Sequence, residues 1–183
     1  MPRGGTGFRL IGQAGVYAAA SQLALCGHNI LFPGVDEGYD LVLGNGLKIQ
    51  VKCARLIFQN TAMYREGVYA FDLRRAIYDP KTANHQSTQK FRSYQSVADF
   101  FVLWGIDEDR FWIIPTSIKN KRIYFPRRGS ISKSNSYAKS YWLKISQDKT
   151  AAMEDRWDLL NVSDVKDLVN SAATEIQLAQ KEN

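Results

Sequence analysis

The sequence predicts a mixed α/β (α+β) chain in which a mixed central β-sheet is flanked by helices and followed by a helical C-terminus. Three stretches carry that expectation. Phe8 to Cys26 is alanine-rich and is followed by Gly27, where a helix end favours a glycine. Tyr39 to Leu43 and Leu47 to Arg55 are short apolar runs joined by Gly44-Asn45-Gly46, a strong hairpin signal. Val97 to Trp104 and Arg110 to Pro115 form a second strand pair around Gly105-Ile106-Asp107-Glu108-Asp109.

In chain order, glycine-rich Met1 to Gly7 is a loose entry, with Thr6 as a candidate helix N-cap. The first helix is expected to bury Leu10, Ile11, Tyr17, Leu23 and Ala24. Ile30 to Phe32 reads as a short strand ended by Pro33-Gly34. Gly67 to Ile77 reads as another strand, its latter half outside the sheet or turning helical. Tyr78 to Gln95 is polar and without period, so it reads as a long loop of the kind that often carries function. Ile123 to Phe125 and Tyr141 to Ile145 supply edge strands, and Phe100, Phe101, Trp104, Phe111 and Trp112 are expected in the core.

Thr150 is placed to cap a short helix with Met153, Trp157 and Leu160 at i, i+4 and i+7. Ser163 is placed to cap a second one with an apolar stripe of Val165, Leu168, Val169, Ala172, Ile176 and Ala179. No repeat or linker divides the chain. A single domain over residues 1–183 is expected, with a core over 1–116, a basic segment over 117–147 and C-terminal helices over 150–180.

With 45% apolar and 12% aromatic residues, 183 residues suffice for a sizeable core. No apolar run approaches bilayer length and the N-terminus lacks a signal pattern, so the expected location is cytoplasmic, nucleoid-associated in a bacterium. Cys26 and Cys53 have no metal-ligand spacing and are expected to be reduced core residues. His28 reads as a capping or surface residue, and nothing beside His85 makes a triad or metal set.

The net charge of +6 favours a polyanionic partner. Its distribution is more telling: from Phe111 to Gln147 there is no Asp or Glu but eight Lys and Arg residues. Lys119, Lys121, Arg122, Arg127, Arg128 and Lys133 are the candidate DNA-binding residues, interleaved with Tyr124, Phe125, Tyr137, Tyr141 and Trp142. Such contacts position DNA without reading its sequence. A merely solvated charge run is the plain alternative.

The chemistry concentrates in the first hairpin. A two-residue Asn45-Gly46 turn would pair Asp40 with Val51 and turn it away from Gln50 and Lys52. A three-residue Gly44–Gly46 loop, with Gly46 left-handed, pairs Asp40 with Gln50 and puts all three polar side chains on one face. The three-residue loop is the expectation. Phosphodiester hydrolysis needs a divalent ion, oxygen ligands for it and a group that orients water. Asp40 would be the charged ligand, Gln50 a neutral oxygen ligand, the Val51 backbone carbonyl a third, and Lys52 the residue that positions water and steadies developing charge. The bland alternative is a half-exposed hairpin whose polar face meets solvent.

The order helix, F-P, Y-D-L-V-L, glycine turn, I-Q-V-K resembles the PD-(D/E)XK nucleases, in particular the small cyanobacterial-type intron-encoded homing endonucleases. The resemblance extends through Asp99 to Pro115 and covers roughly the first two thirds of the chain. It implies a restriction-endonuclease-like core and a site-specific, homing- or restriction-type DNA endonuclease. It also implies Mg²⁺ or Mn²⁺ as cofactor, double-stranded DNA as partner and a homo-oligomer that cuts both strands. In the homing branch a Gln in place of the usual Glu before x-Lys is an accepted variation, which Gln50 matches. The departure is on the first helix, where relatives carry Gly-Glu and this chain has Gly15-Val16. Gln13, Asp36 and Glu37 are the candidate substitutes for that metal-binding Glu. The alternative implied by Val16 and Gln50, two neutral residues where many relatives have carboxylates, is a catalytically impaired DNA-binding protein on the same fold, and a third reading is an interaction domain with no DNA role.

Overall fold

The computed structural model describes residues 5–35, 37–58, 66–77, 90–130, 137–139 and 142–161. Helix α1 (Gly5–Leu25) leads into strands β1 (Ile30–Leu31), β2 (Leu41–Leu43), β3 (Lys48–Ala54) and β4 (Leu56–Ile57). Strands β5 (Val68–Asp72), β6 (Arg75–Ile77), β7 (Lys90–Arg92), β8 (Phe100–Gly105) and β9 (Arg110–Pro115) follow. The described chain closes with β10 (Arg122–Pro126), β11 (Tyr137–Lys139), β12 (Trp142–Lys144), helix α2 (Gln147–Met153) and a 3-10 turn at Trp157–Leu160.

Two five-stranded sheets form, in the orders β1-β2-β3-β8-β9 and β11-β12-β10-β5-β4, with β6 and β7 paired as a separate ribbon. Each large sheet is mixed: β3 runs parallel to β8 and β10 parallel to β12, while the remaining pairs are antiparallel. The chain passes from the first sheet to the second at Arg55, between β3 and β4.

Side-chain alternation along β3 and β8 then sets the layers. Ile49, Val51, Phe100 and Val102 pack with Ala19, Ala20 and Leu23 of α1 and with Leu160. Ala54, Phe101 and Leu103 pack with Tyr69, Phe71, Ile123, Phe125 and Leu143 of the second sheet. The first sheet is thus sandwiched between α1 and the second sheet, and positions 50 and 52 of β3 face the second sheet. The packing centre there is aromatic: Trp112 stacks on Phe125 at 4.4 Å, with Phe71 edge-on to both rings.

Arg110 on β9 is 2% exposed and donates to Glu154 at 2.6 Å and to the Pro126 carbonyl at 3.1 Å, its guanidinium 4.8 Å from the Trp112 ring. Glu154 also accepts from Arg128 at 2.5 Å. A carboxylate so buried would ordinarily titrate high, but the hydrogen bonds from Arg110 and Arg128 outweigh burial and hold Glu154 below its usual range. This cluster ties the β8–β9 turn, the end of β10 and the residues after α2 together.

Several expectations need correction. Thr6 lies inside α1, and Thr150 lies inside α2, where its hydroxyl donates back to the Ser146 carbonyl; Ser146 is the N-cap. The packed face of α1 is Gly15, Ala19 and Leu23 with half-buried Val16, while Leu10 and Tyr17 are 63% and 58% exposed and Ala24 is exposed. The cause is close approach: a Cβ on Gly15 would lie 1.9 Å from the Cys53 sulfur, so the helix meets β3 through its small residues. Cys26 is exposed rather than in the core, and both thiols are free. The expected loop before Gln95 contains β7. His85, Lys133 and the Ser163 helix lie outside the described residues.

Candidate active site

The β2–β3 hairpin closes through the three-residue loop. Leu41 pairs with Ile49 and Val42 with Lys48, and Gly46 is left-handed at φ +87°. The Gly46 amide donates to the Leu43 carbonyl at 2.8 Å, and the Leu43 amide to the Leu47 carbonyl at 2.9 Å. Asn45 adds a side-chain tie on each side, accepting from the Leu47 amide at 3.2 Å and donating to the Leu160 carbonyl at 2.9 Å. Continuing that register one step sets Asp40 opposite Gln50, with its own amide on the Ile49 carbonyl at 2.8 Å.

The side chains converge accordingly. Asp40 Oδ2 accepts from the Gln50 side-chain amide and, at 2.8 Å, from the Val51 backbone N–H. The same Gln50 nitrogen donates at 3.0 Å to the Val51 carbonyl. An electropositive NH₂ group therefore sits between a carboxylate and a backbone carbonyl, occupying the position a hard cation would take. Rotating the Gln50 amide by half a turn exchanges that donor for an oxygen. Asp40, Gln50 and the Val51 carbonyl would then form a three-oxygen set suited to Mg²⁺ or Mn²⁺. Among the described residues no three His, Cys, Asp or Glu side chains group as metal ligands, so this set carries a single carboxylate.

Lys52 lies two residues along the same face. Its ammonium donates to the Tyr94 hydroxyl at 3.0 Å and sits 4.6 Å from the centre of that ring. Tyr94 is 7% exposed and packs edge-on against Phe101, the residue paired with Gln50 across β3 and β8. Sequence reading missed Tyr94, because it lies in a polar stretch between two strands. The available signal was an aromatic residue in that stretch, six positions before β8. Behind the site, burial first and the Asp40 charge second push the Cys53 thiol up to about 11. It stays protonated at neutral pH, a packing neighbour for α1.

The other candidates distribute unevenly. Val16 packs against the apolar cluster between α1 and the first sheet. Gln13 is exposed and donates to the Tyr17 hydroxyl at 3.2 Å, and Glu37 is exposed and accepts from the Tyr39 hydroxyl. Those hydrogen bonds engage Tyr17 and Tyr39, and Asp36 lies outside the described residues. Lys119, Lys121 and Arg122 are exposed near the start of β10, and Arg122 pairs with Asp72 at 3.5 Å. Arg127 and Arg128 lie beyond the other end of β10, beside Glu108 and Glu154. Lys144 is 7% exposed, and burial lowers the pKa of its ammonium.

A family model described as PD-(D/E)XK endonuclease matches residues 8–157. The chain belongs to the PD-(D/E)XK endonuclease family. The matched span runs from α1 through both sheets to the 3-10 turn, and it includes Asp40, Gln50, Lys52 and Tyr94. Among solved structures, a bacterial homing endonuclease, I-Ssp6803I, superposes with a TM-score of 0.58 at 20% identity, covering 94% of this chain and 99% of that one. At that identity the likeness establishes the restriction-endonuclease-like fold. No curated protein matches the chain. Among the described residues, no helix of this PD-(D/E)XK endonuclease is long and apolar enough to cross a membrane.

Proposed function

We propose that this chain is a divalent-metal-dependent DNA endonuclease acting on double-stranded DNA at Asp40, Gln50, Val51 and Lys52. One observation carries the reading: the Gln50 amide sits between the Asp40 carboxylate and the Val51 carbonyl, on the face that also presents Lys52. Mg²⁺ or Mn²⁺ bound by these oxygens would supply positive charge to the phosphate. Asp40 provides the ligand charge, Gln50 the amide oxygen and Val51 the carbonyl. Lys52 holds the attacking water and counters charge building on the phosphoryl oxygens. In the hydrolysis the water oxygen bonds to phosphorus and gives up a proton to solvent, while the P–O bond to the leaving oxygen breaks and that oxygen takes up a proton.

The exposed basic residues Lys119, Lys121, Arg122, Arg127 and Arg128, together with Lys133, are proposed to contact the sugar–phosphate backbone. Homing- or restriction-type specificity, a cytoplasmic location and assembly into a homo-oligomer that presents two sites to the two strands complete the reading. A second reading, a DNA-binding protein with impaired catalysis, rests on half-buried Val16, which packs against the apolar cluster where the family resemblance would place a helix acid.

Supercoiled plasmid incubated with the protein in Mg²⁺, Mn²⁺ or EDTA tests the proposal. Cleavage is expected only with metal and is expected to disappear in Asp40→Asn and Lys52→Ala. Cleavage that survives both substitutions would sink the site assignment, and salt-dependent DNA binding without cleavage in either metal would establish the impaired reading.

A further inference from the structure

The β6–β7 ribbon stands apart from both large sheets and borders the site on two sides. On the β6 side, Arg75 packs directly on Gly38, two residues before Asp40. Gly38 has φ +89°, and a Cβ there would fall 2.4 Å from the Arg75 guanidinium carbon. On the β7 side, the chain leaves Arg92 and within two residues reaches Tyr94, which holds Lys52.

The ribbon register sets Arg75 directly opposite Arg92, and Ile77 opposite Lys90. Arg75 and Arg92 are therefore cross-strand neighbours on one face of the ribbon. Arg92 is exposed on that face. At its root the ribbon adjoins the start of β10. The Leu73 amide donates to the Lys121 carbonyl at 2.9 Å, and Asp72 pairs with both Arg74 and Arg122. Lys121 and Arg122 therefore lie at the root of the ribbon that carries Arg75 and Arg92.

Building on the endonuclease reading, we infer that the Arg75–Arg92 face of the β6–β7 ribbon is a DNA-backbone contact surface that binds the phosphates flanking the scissile one. A two-stranded ribbon is narrow enough to enter a major groove, and its paired arginines would offset phosphate charge beside the cleavage point.

The test is fluorescence anisotropy with a labelled duplex, Ca²⁺ replacing the catalytic ion, across a salt series. Arg92→Gln is expected to flatten the plot of log K against log salt by about 0.9, an affinity loss of about eightfold at 0.1 M salt. Arg92→Glu should weaken binding further, Arg92→Lys should keep the slope, and Arg9→Gln, on α1 across the first sheet from positions 50 and 52, should leave it unchanged. Far-UV circular dichroism and melting temperature confirm that each variant is folded. An unchanged slope in both Arg92→Gln and Arg92→Glu would overturn the ribbon surface, as would an equal loss in Arg9→Gln. A wild-type protein with no salt-dependent duplex affinity would instead overturn the endonuclease reading beneath it.

Discussion

Gln50→Glu restores the carboxylate usual for the family and in doing so tests the local geometry. In the wild type the Gln50 amide donates to the Asp40 carboxylate and to the Val51 carbonyl, with the side chain 8% exposed. A glutamate there loses both donors and places a second negative charge against Asp40. At an effective dielectric of 20 and a separation of about 4 Å the repulsion is roughly 4 kcal/mol. The pair can avoid it by taking up a proton, which at pH 7 costs about 1.36 × (7 − 4.3), or roughly 3.7 kcal/mol. The two routes cost about the same, so metal-free Gln50→Glu should be destabilised by about 3–4 kcal/mol at pH 7.

The sign of the pH dependence follows. The shared proton binds the folded pair more tightly than the unfolded chain, so folding is favoured as pH falls. The gap to wild type should shrink by about 1.4 kcal/mol per pH unit between pH 7 and pH 5. A divalent ion supplies positive charge at the same place, so millimolar Mn²⁺ at pH 7 should narrow the gap without a pH change. Urea unfolding of both proteins at pH 7, at pH 5 and at pH 7 with Mn²⁺ measures all three. A metal-free variant within about 0.5 kcal/mol of wild type at pH 7, with the same pH slope, would refute the juxtaposition of positions 40, 50 and 51.

Tyr94→Phe removes the hydroxyl that holds Lys52 but keeps the ring packed on Phe101. Single-turnover cleavage should slow about tenfold or more with duplex affinity unchanged, whereas an equal loss of affinity would make Tyr94 only structural. Glu154→Gln breaks a buried ion pair with Arg110 and should cost about 3 kcal/mol at neutral pH. Because the folded Glu154 titrates below its unfolded value, its contribution is present above the unfolded pKa of about 4.3 and is lost as pH falls through the folded one. Urea midpoints of wild type and variant should therefore converge in acid. Gly15→Ala forces a methyl against the Cys53 sulfur and should destabilise by about 1–3 kcal/mol despite the better helix propensity of alanine. Adding Cys53→Ala should recover most of that loss in thermal melts.

The hairpin site was legible because a strand has a two-residue period and because Gly44-Asn45-Gly46 permits few closures. Only the three-residue loop brings Asp40 to Gln50, and that closure is present. The strand pair at Phe100–Gly105 and Arg110–Pro115 was legible from its continuous apolar runs, buried on both faces between α1 and the second sheet. The packing face of α1 was misread because hydrophobicity points to Leu10 and Tyr17, whereas close approach selects Gly15 and Ala19. Tyr94 and the β6–β7 ribbon were hidden for a different reason. Their roles arise from pairing between distant positions, Tyr94 with Lys52 and Arg75 with Arg92, and a polar stretch carries no periodic trace of such pairings.

Whether Asp40, Gln50 and the Val51 carbonyl converge to hold a catalytic cation is measured by a Mn²⁺ titration followed by electron paramagnetic resonance. Saturable binding is expected in the wild type and in Lys52→Ala, weaker binding in Gln50→Ala, and none in Asp40→Asn. Wild-type affinity retained in Asp40→Asn would contradict the account.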